Sequence, residues 1–198
     1  MSDGLDGKSS HRLLRRGQQL EIITLIWNLV GVIVLAFAAI NARSVALAGF
    51  GLDSCIEIGA SAVVLWELAD VAQIRRRRAM RLIGSAFVVL SVYLAVQSTI
   101  VLAIGFHPHH STFGIVWTAL TAVVMFALAS GKARTGAALG NPVLETEGRI
   151  TMIDGILATV VLAGLLLNAF VGWWWADPLA GYALLYYAIR EARESLSH

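Results

Sequence analysis

IRRRRAMRLIGSAFVVLSVYLAVQSTIVLAI, residues 74–104, opens on a cluster of arginines ending at Arg81 and then runs to Ile104 without a charged side chain. A helix needs about 20 apolar residues to cross the hydrocarbon core of a bilayer. This segment supplies them, with its charge gathered at one end. It reads as a membrane span with a basic cytoplasmic flank.

The rest of the chain reads the same way. Apolar residues make up 58% of the 198, charged residues only 14%, and mean hydropathy is +0.73. A soluble domain carries about 25% charged residues, so much of this surface is expected to face lipid. Net charge is +2 with five histidines, and nothing in that balance points to a nucleic-acid partner. The lone Cys55 excludes an internal disulfide and a cysteine zinc cage. No cleavable signal peptide is evident, because the first twenty residues are polar and basic.

Scanning for spans predicts an all-α membrane protein of six transmembrane helices: Leu20–Asn41, Ser44–Leu68, Met80–Ile104, Phe113–Ala129, Val143–Val171 and Trp173–Ile189. An even count puts both termini on one side. Residues 1–18 read as a cytoplasmic tail and 19–195 as the six-helix domain, with no cytoplasmic domain after it. In the last span, Asp177 before Pro178 reads as an N-cap with proline at the first helical position, behind an interfacial belt of Trp173, Trp174 and Trp175.

Charge gives an independent check. Of the fifteen Lys and Arg residues, all but Arg43 fall on the same side of these spans. Lys132, Arg134 and Arg149 belong to that set, flanking the fourth-to-fifth connection. The positive-inside rule makes that side cytoplasmic. The run Arg75–Arg78 serves first as a topological anchor, and anionic headgroups or a partner subunit are its other readings. The location expected is a multi-pass bacterial inner or plasma membrane.

Ionisable residues within a span are costly and read as functional by default. Glu67, Asp70, Glu145, Glu191 and Glu194 sit near span ends. Asp53 and Glu57 do not: they lie four residues apart on one face of the second span, and Ser61 continues that stripe. Asp154 lies well inside the fifth span, at a depth similar to Glu57. No lysine or arginine within either span pairs these acids, so protons or a cation must neutralise them. The bland alternative is protonated acids hydrogen-bonded to neighbouring helices. Glu147, seven residues before Asp154 and thus about 10 Å nearer the cytoplasm, reads as an ion- or proton-attracting group at the mouth or as a solvated helix-start carboxylate. Glu21, with Asn28 two turns further in, carries the same two readings. His107, His109 and His110 form an outer-loop cluster, either a weak metal site or simply solvated.

The tract SVALAGFGLDSCIEIGAS, residues 44–61, resembles the second helix of the cation diffusion facilitator (cation efflux) transporters, with Asp53 and Glu57 at the family's ligand pair. Residues 144–154 are similar to its fifth helix, with Asp154 at the aspartate of a His-x-x-x-Asp pair, and Trp173–Pro178 resembles the segment before its sixth. Three departures stand out. Ile150 replaces the histidine, Glu57 replaces an aspartate, and the chain ends soon after the sixth helix. The resemblance implies a secondary transporter rather than an enzyme: efflux of a divalent metal from a midplane site of Asp53, Glu57 and Asp154, by proton antiport and alternating access in a homodimer. Protons and metal would compete for the same carboxylates. Family habit puts Zn²⁺ first, with Mn²⁺, Co²⁺, Fe²⁺ or Cd²⁺ behind it. An all-oxygen site favours harder ions. The ion is cargo, and no resident cofactor is expected. The competing readings are a non-transporting metal sensor or partner protein and an intramembrane aspartyl hydrolase.

Overall fold

The computed structural model describes the backbone of residues 3–68 and 73–196, and the side chains of 12–59, 81–141 and 144–196. Six α-helices account for nearly all of it: α1 Asp3–Ala42, α2 Val45–Leu68, α3 Gln73–Ile104, α4 Thr112–Leu139, α5 Pro142–Leu166 and α6 Ala176–Leu196. Among the described residues there is no strand. Side chains of Ser61, Glu67 and the Arg75–Arg78 run lie outside the described set, as does Asp70 altogether.

Four helical stretches are long and apolar enough to cross a membrane: Arg12–Ala42, Arg81–Ile104, Thr112–Leu139 and Leu144–Val171. With α2 and α6 packed among them, the chain is a multi-pass membrane protein. Its side chains are distributed accordingly. Ile33, Ile40, Val89 and Val123 face outward, each at least 68% exposed, while Asn28, Asp53, Ser98, Thr118, Thr121, Lys132, Thr151 and Asp154 are buried. Apolar outside and polar inside is the arrangement that lipid rewards.

The helices depart from the sequence reading mainly at their ends. α1 is already helical at Asp3, ahead of the first apolar run, so the stretch expected as a tail winds into it. α4 continues ten residues beyond Ala129, to Leu139. The reason is local: residues 130–139 include alanines and a leucine, favourable helix formers, and no proline intervenes before Pro142. Gly140, in the left-handed region at φ 60°, then ends α4. Asn141 Oδ1 accepts from the Leu144 amide at 3.2 Å, with Pro142 opening α5.

That two-residue turn folds α5 back along α4 in the most extensive helix pairing among the described residues. Gly148 permits it: a Cβ there would lie 2.9 Å from the Ala133 backbone nitrogen. Backbone-to-backbone approach of this kind needs a residue without a side chain. It sets the inner face of α5 directly beside Lys132.

The other end of α5 widens into a π turn, Leu167–Val171, closed by Gly172. Asn168 sits in that turn, buried, and its Nδ2 donates to the Pro108 carbonyl at 3.1 Å. The outer loop between α3 and α4 is thereby fastened to the end of α5.

Candidate metal centre

Two polar stripes face each other inside the bundle. On α1 they are Glu21, Thr24 and Asn28; on α5, Glu147, Thr151 and Asp154. Spacings of three and four residues put each set on one helix face. α2 adds Asp53, 2% exposed, and Glu57 one turn further on.

The Glu57 and Asp154 carboxyls are hydrogen-bond neighbours. Two carboxyl groups in such contact require a proton or a cation between them. Asn28 Nδ2 donates to Glu57 Oε2 at 3.2 Å, bringing α1 to the same point. Asp53 lies within electrostatic reach of both acids, as does Tyr187 of α6. The Tyr187 ring meets Phe87 edge-on at 6.3 Å. Asp53 Oδ1, Glu57 Oε1 and Asp154 Oδ1 are buried oxygens to which no donor reaches among the described residues. Among the described residues, no three His, Cys, Asp or Glu side chains converge closely enough to hold one ion by themselves.

Glu147 and Glu21 occupy a different place. Lys132, reaching in from α4, donates to Glu21 Oε2 at 3.0 Å and to Thr151 Oγ1 at 3.1 Å, and lies 3.9 Å from Glu147 Oε2. Its residue surface is 0% exposed. The sequence reading put this lysine in the basic flank of a loop, where it does not belong. The buried positions of α4 include 118, 121, 125, 128, 132 and 135, a helical rhythm that carries straight through Lys132. Following that rhythm past Ala129 would have exposed the error. The two acids expected at the mouth are thus ion-paired with one ammonium, which joins α1, α4 and α5.

The remaining candidates separate. His107, His109 and His110 are all exposed. His107 Nδ1 is 2.8 Å from the Gly105 carbonyl, and its ring lies against Trp174. Among the described residues they do not form a group of three or more ligands that could hold a metal ion. Ile150 is 37% exposed, and Cys55 is also on the outside of its helix.

Asp177 is in the first turn of α6 but caps a different helix. It is fully buried, and its carboxylate accepts from the Ser44 hydroxyl and, at 3.0 Å, from the Val45 amide at the start of α2. Ser44 Oγ in turn accepts from Leu47 N at 3.1 Å. The N-cap expected within α6 is therefore a cap supplied by α6 to α2, the helix that carries Asp53. Asp177→Ala strands buried donors, at about 1–3 kcal/mol. Unfolding of the purified variant in mixed micelles should show that loss, and unchanged stability would disprove the capping role.

Comparison with known proteins adds a separate line of support. The family description "Cation efflux transmembrane domain" fits residues 75–198, which hold Lys132, Glu147, Asp154 and Asp177; Asp53 and Glu57 precede that match. Transmembrane protein 163 of Xenopus laevis is 26% identical over 138 residues, covering 66% of this chain and 49% of that protein. The chain thus spans about half the length of this curated relative.

Proposed function

The chain belongs to the cation efflux family, and from that premise we propose that it exports a divalent metal ion, Zn²⁺ or one like it, in exchange for protons. In this reading all six helices span the bilayer with both termini cytoplasmic, and the working unit is a homodimer. Asp53, Glu57 and Asp154 hold the ion near the midplane. Alternating access opens that site to one side and then the other.

One observation carries the reading: three carboxyl groups, each with a buried oxygen that no donor reaches among the described residues, lie inside a bundle whose outer surface is apolar. Such a cluster is costly unless cations or protons neutralise it. Metal and protons are alternative occupants of the same oxygens, so binding one expels the other. Exchange follows from that competition once the two sides differ in pH.

Proteoliposomes enclosing a pH-sensitive dye test this directly. External Zn²⁺, Mn²⁺, Co²⁺ or Cd²⁺ should each be scanned for metal-driven proton movement. Wild-type protein should couple at least one ion to a pH change, and Asp53→Ala should reduce it to the level of empty vesicles. Absence of flux with every ion would refute transport. Metal uptake without a pH change would refute exchange, and flux that survives Asp53→Ala would refute the site.

A further inference from the structure

Asn28 lies in the apolar length of α1, 5% exposed, where an amide is expensive to bury without a purpose. Its Nδ2 is directed across the helix boundary to Glu57 Oε2 at 3.2 Å. Around that contact stand the unpartnered oxygens Glu57 Oε1, Asp154 Oδ1 and Asp53 Oδ1.

An asparagine amide has an oxygen face and a nitrogen face of nearly the same shape, and a half-turn about χ2 exchanges them. Turned so, Asn28 would place a neutral oxygen about where Nδ2 now lies, 3.2 Å from Glu57 Oε2. Neighbouring corners of an octahedron with metal–oxygen bonds of about 2.1 Å are about 3 Å apart. The spacing suits two ligands of one ion.

The donor chemistry points the same way. Ile150 supplies no imidazole, and none of the five histidines falls between residues 20 and 60 or between 144 and 165. Cys55 faces outward. What remains beside Glu57 is oxygen: carboxylates from α2 and α5, and the amide of α1. Oxygen sets of carboxylate and carbonyl suit Mn²⁺ and Mg²⁺, whereas imidazole suits Zn²⁺.

We infer that Asn28 is a fourth, neutral ligand to the transported ion and that it biases the site toward an oxygen-preferring divalent ion such as Mn²⁺ over Zn²⁺. The inference rests on the transport-site reading above and adds a residue from a third helix to it. Ligands would then come from three helices, joined through the Asn28–Glu57 contact, where the acids come from two.

The test uses the purified full chain in detergent, with Mn²⁺, Zn²⁺ and Co²⁺ as probes. Asn28→Ala should weaken Mn²⁺ binding about tenfold or more, by analogy with the 10–100-fold effects of even outer groups at metal sites. Asn28→His should reverse the preference toward Zn²⁺. It should also shift and intensify the visible Co²⁺ absorption, as a nitrogen ligand replaces an oxygen. That spectral change would not follow from a merely structural role. If Asn28→Ala fails to fold, Asn28→His decides the matter alone. A wild-type Co²⁺ spectrum and a wild-type Mn²⁺-to-Zn²⁺ ratio in Asn28→His would overturn the inference. Asp154→Ala is the control for the underlying reading. Wild-type binding in that variant would remove the site itself, whereas loss there with Asn28→His unchanged removes only the role of Asn28.

Discussion

Lys132→Met should destabilise the protein by roughly 3–5 kcal/mol, the range seen when one partner of a buried ion pair is removed. The side chain is 1% exposed, and its ammonium serves Glu21 at 3.0 Å and Glu147 at 3.9 Å. Methionine fills much the same volume, so packing is nearly preserved. The loss is electrical: two carboxylates remain without their cation. Both are partly exposed, 27% for Glu21 and 21% for Glu147, which places the expected cost toward the lower end. Acidification should shrink the deficit, since each proton taken up removes one of the two stranded charges. The double variant Lys132→Met/Glu21→Gln should recover part of the loss, and the shortfall from additivity measures the coupling. Unfolding in mixed micelles is the measurement. A loss below about 1 kcal/mol, the scale of an exposed pair, would show that Lys132 is not the buried counter-ion of this cluster.

Asp154→Asn should sharply weaken metal binding and yet stabilise the metal-free protein. Asparagine keeps the shape of the side chain and removes its charge, so the contact with Glu57 no longer needs a shared proton or cation. Relief of about 1 kcal/mol would raise the melting temperature by about 2–4 °C for a chain of this size. Binding should move the other way. Outer partners at metal sites are already worth 10–100-fold, so losing a direct carboxylate ligand should weaken binding by about 100-fold or more. Calorimetric titration and thermal melting on one preparation check both signs. A variant that binds as wild type would contradict the assignment. One that loses stability would show that Asp154 is held by partners favouring its charge.

The features that span length and charge reveal were legible in the sequence. Residues 82–104 read as a span because nothing charged interrupts them, and α3 carries that stretch to Ile104. Asp53, Glu57 and Asp154 were legible for the same reason, as the acids furthest from any span end. The contact of Glu57 with Asp154 was only approachable, by counting residues from the cytoplasmic ends. Lys132 was misplaced because a positive charge near a span boundary suggests a loop, although its helical register marks the inner face. Asp177 illustrates a different limit. Its local context, Asp before Pro, is that of a cap, but its partners Ser44 and Val45 lie far away in sequence, and no local pattern names them. Asn28 drew notice only beside Glu21, because the helix that would give it meaning is α2.

The π turn at 167–171 makes the pitch of α5 uneven. A residue added to one turn is a register stored in the backbone. Rewinding that turn as α-helix would carry everything beyond it round by about 100°. Trp173, Trp174 and Trp175 would swing with it, about 28 Å along the axis from Asp154. The Asn168 bond to the Pro108 carbonyl stands in the way of that rewinding, so it behaves as a catch on a wound spring. The outer end of α5 is therefore fastened to the loop between α3 and α4, apart from the length that carries Asp154.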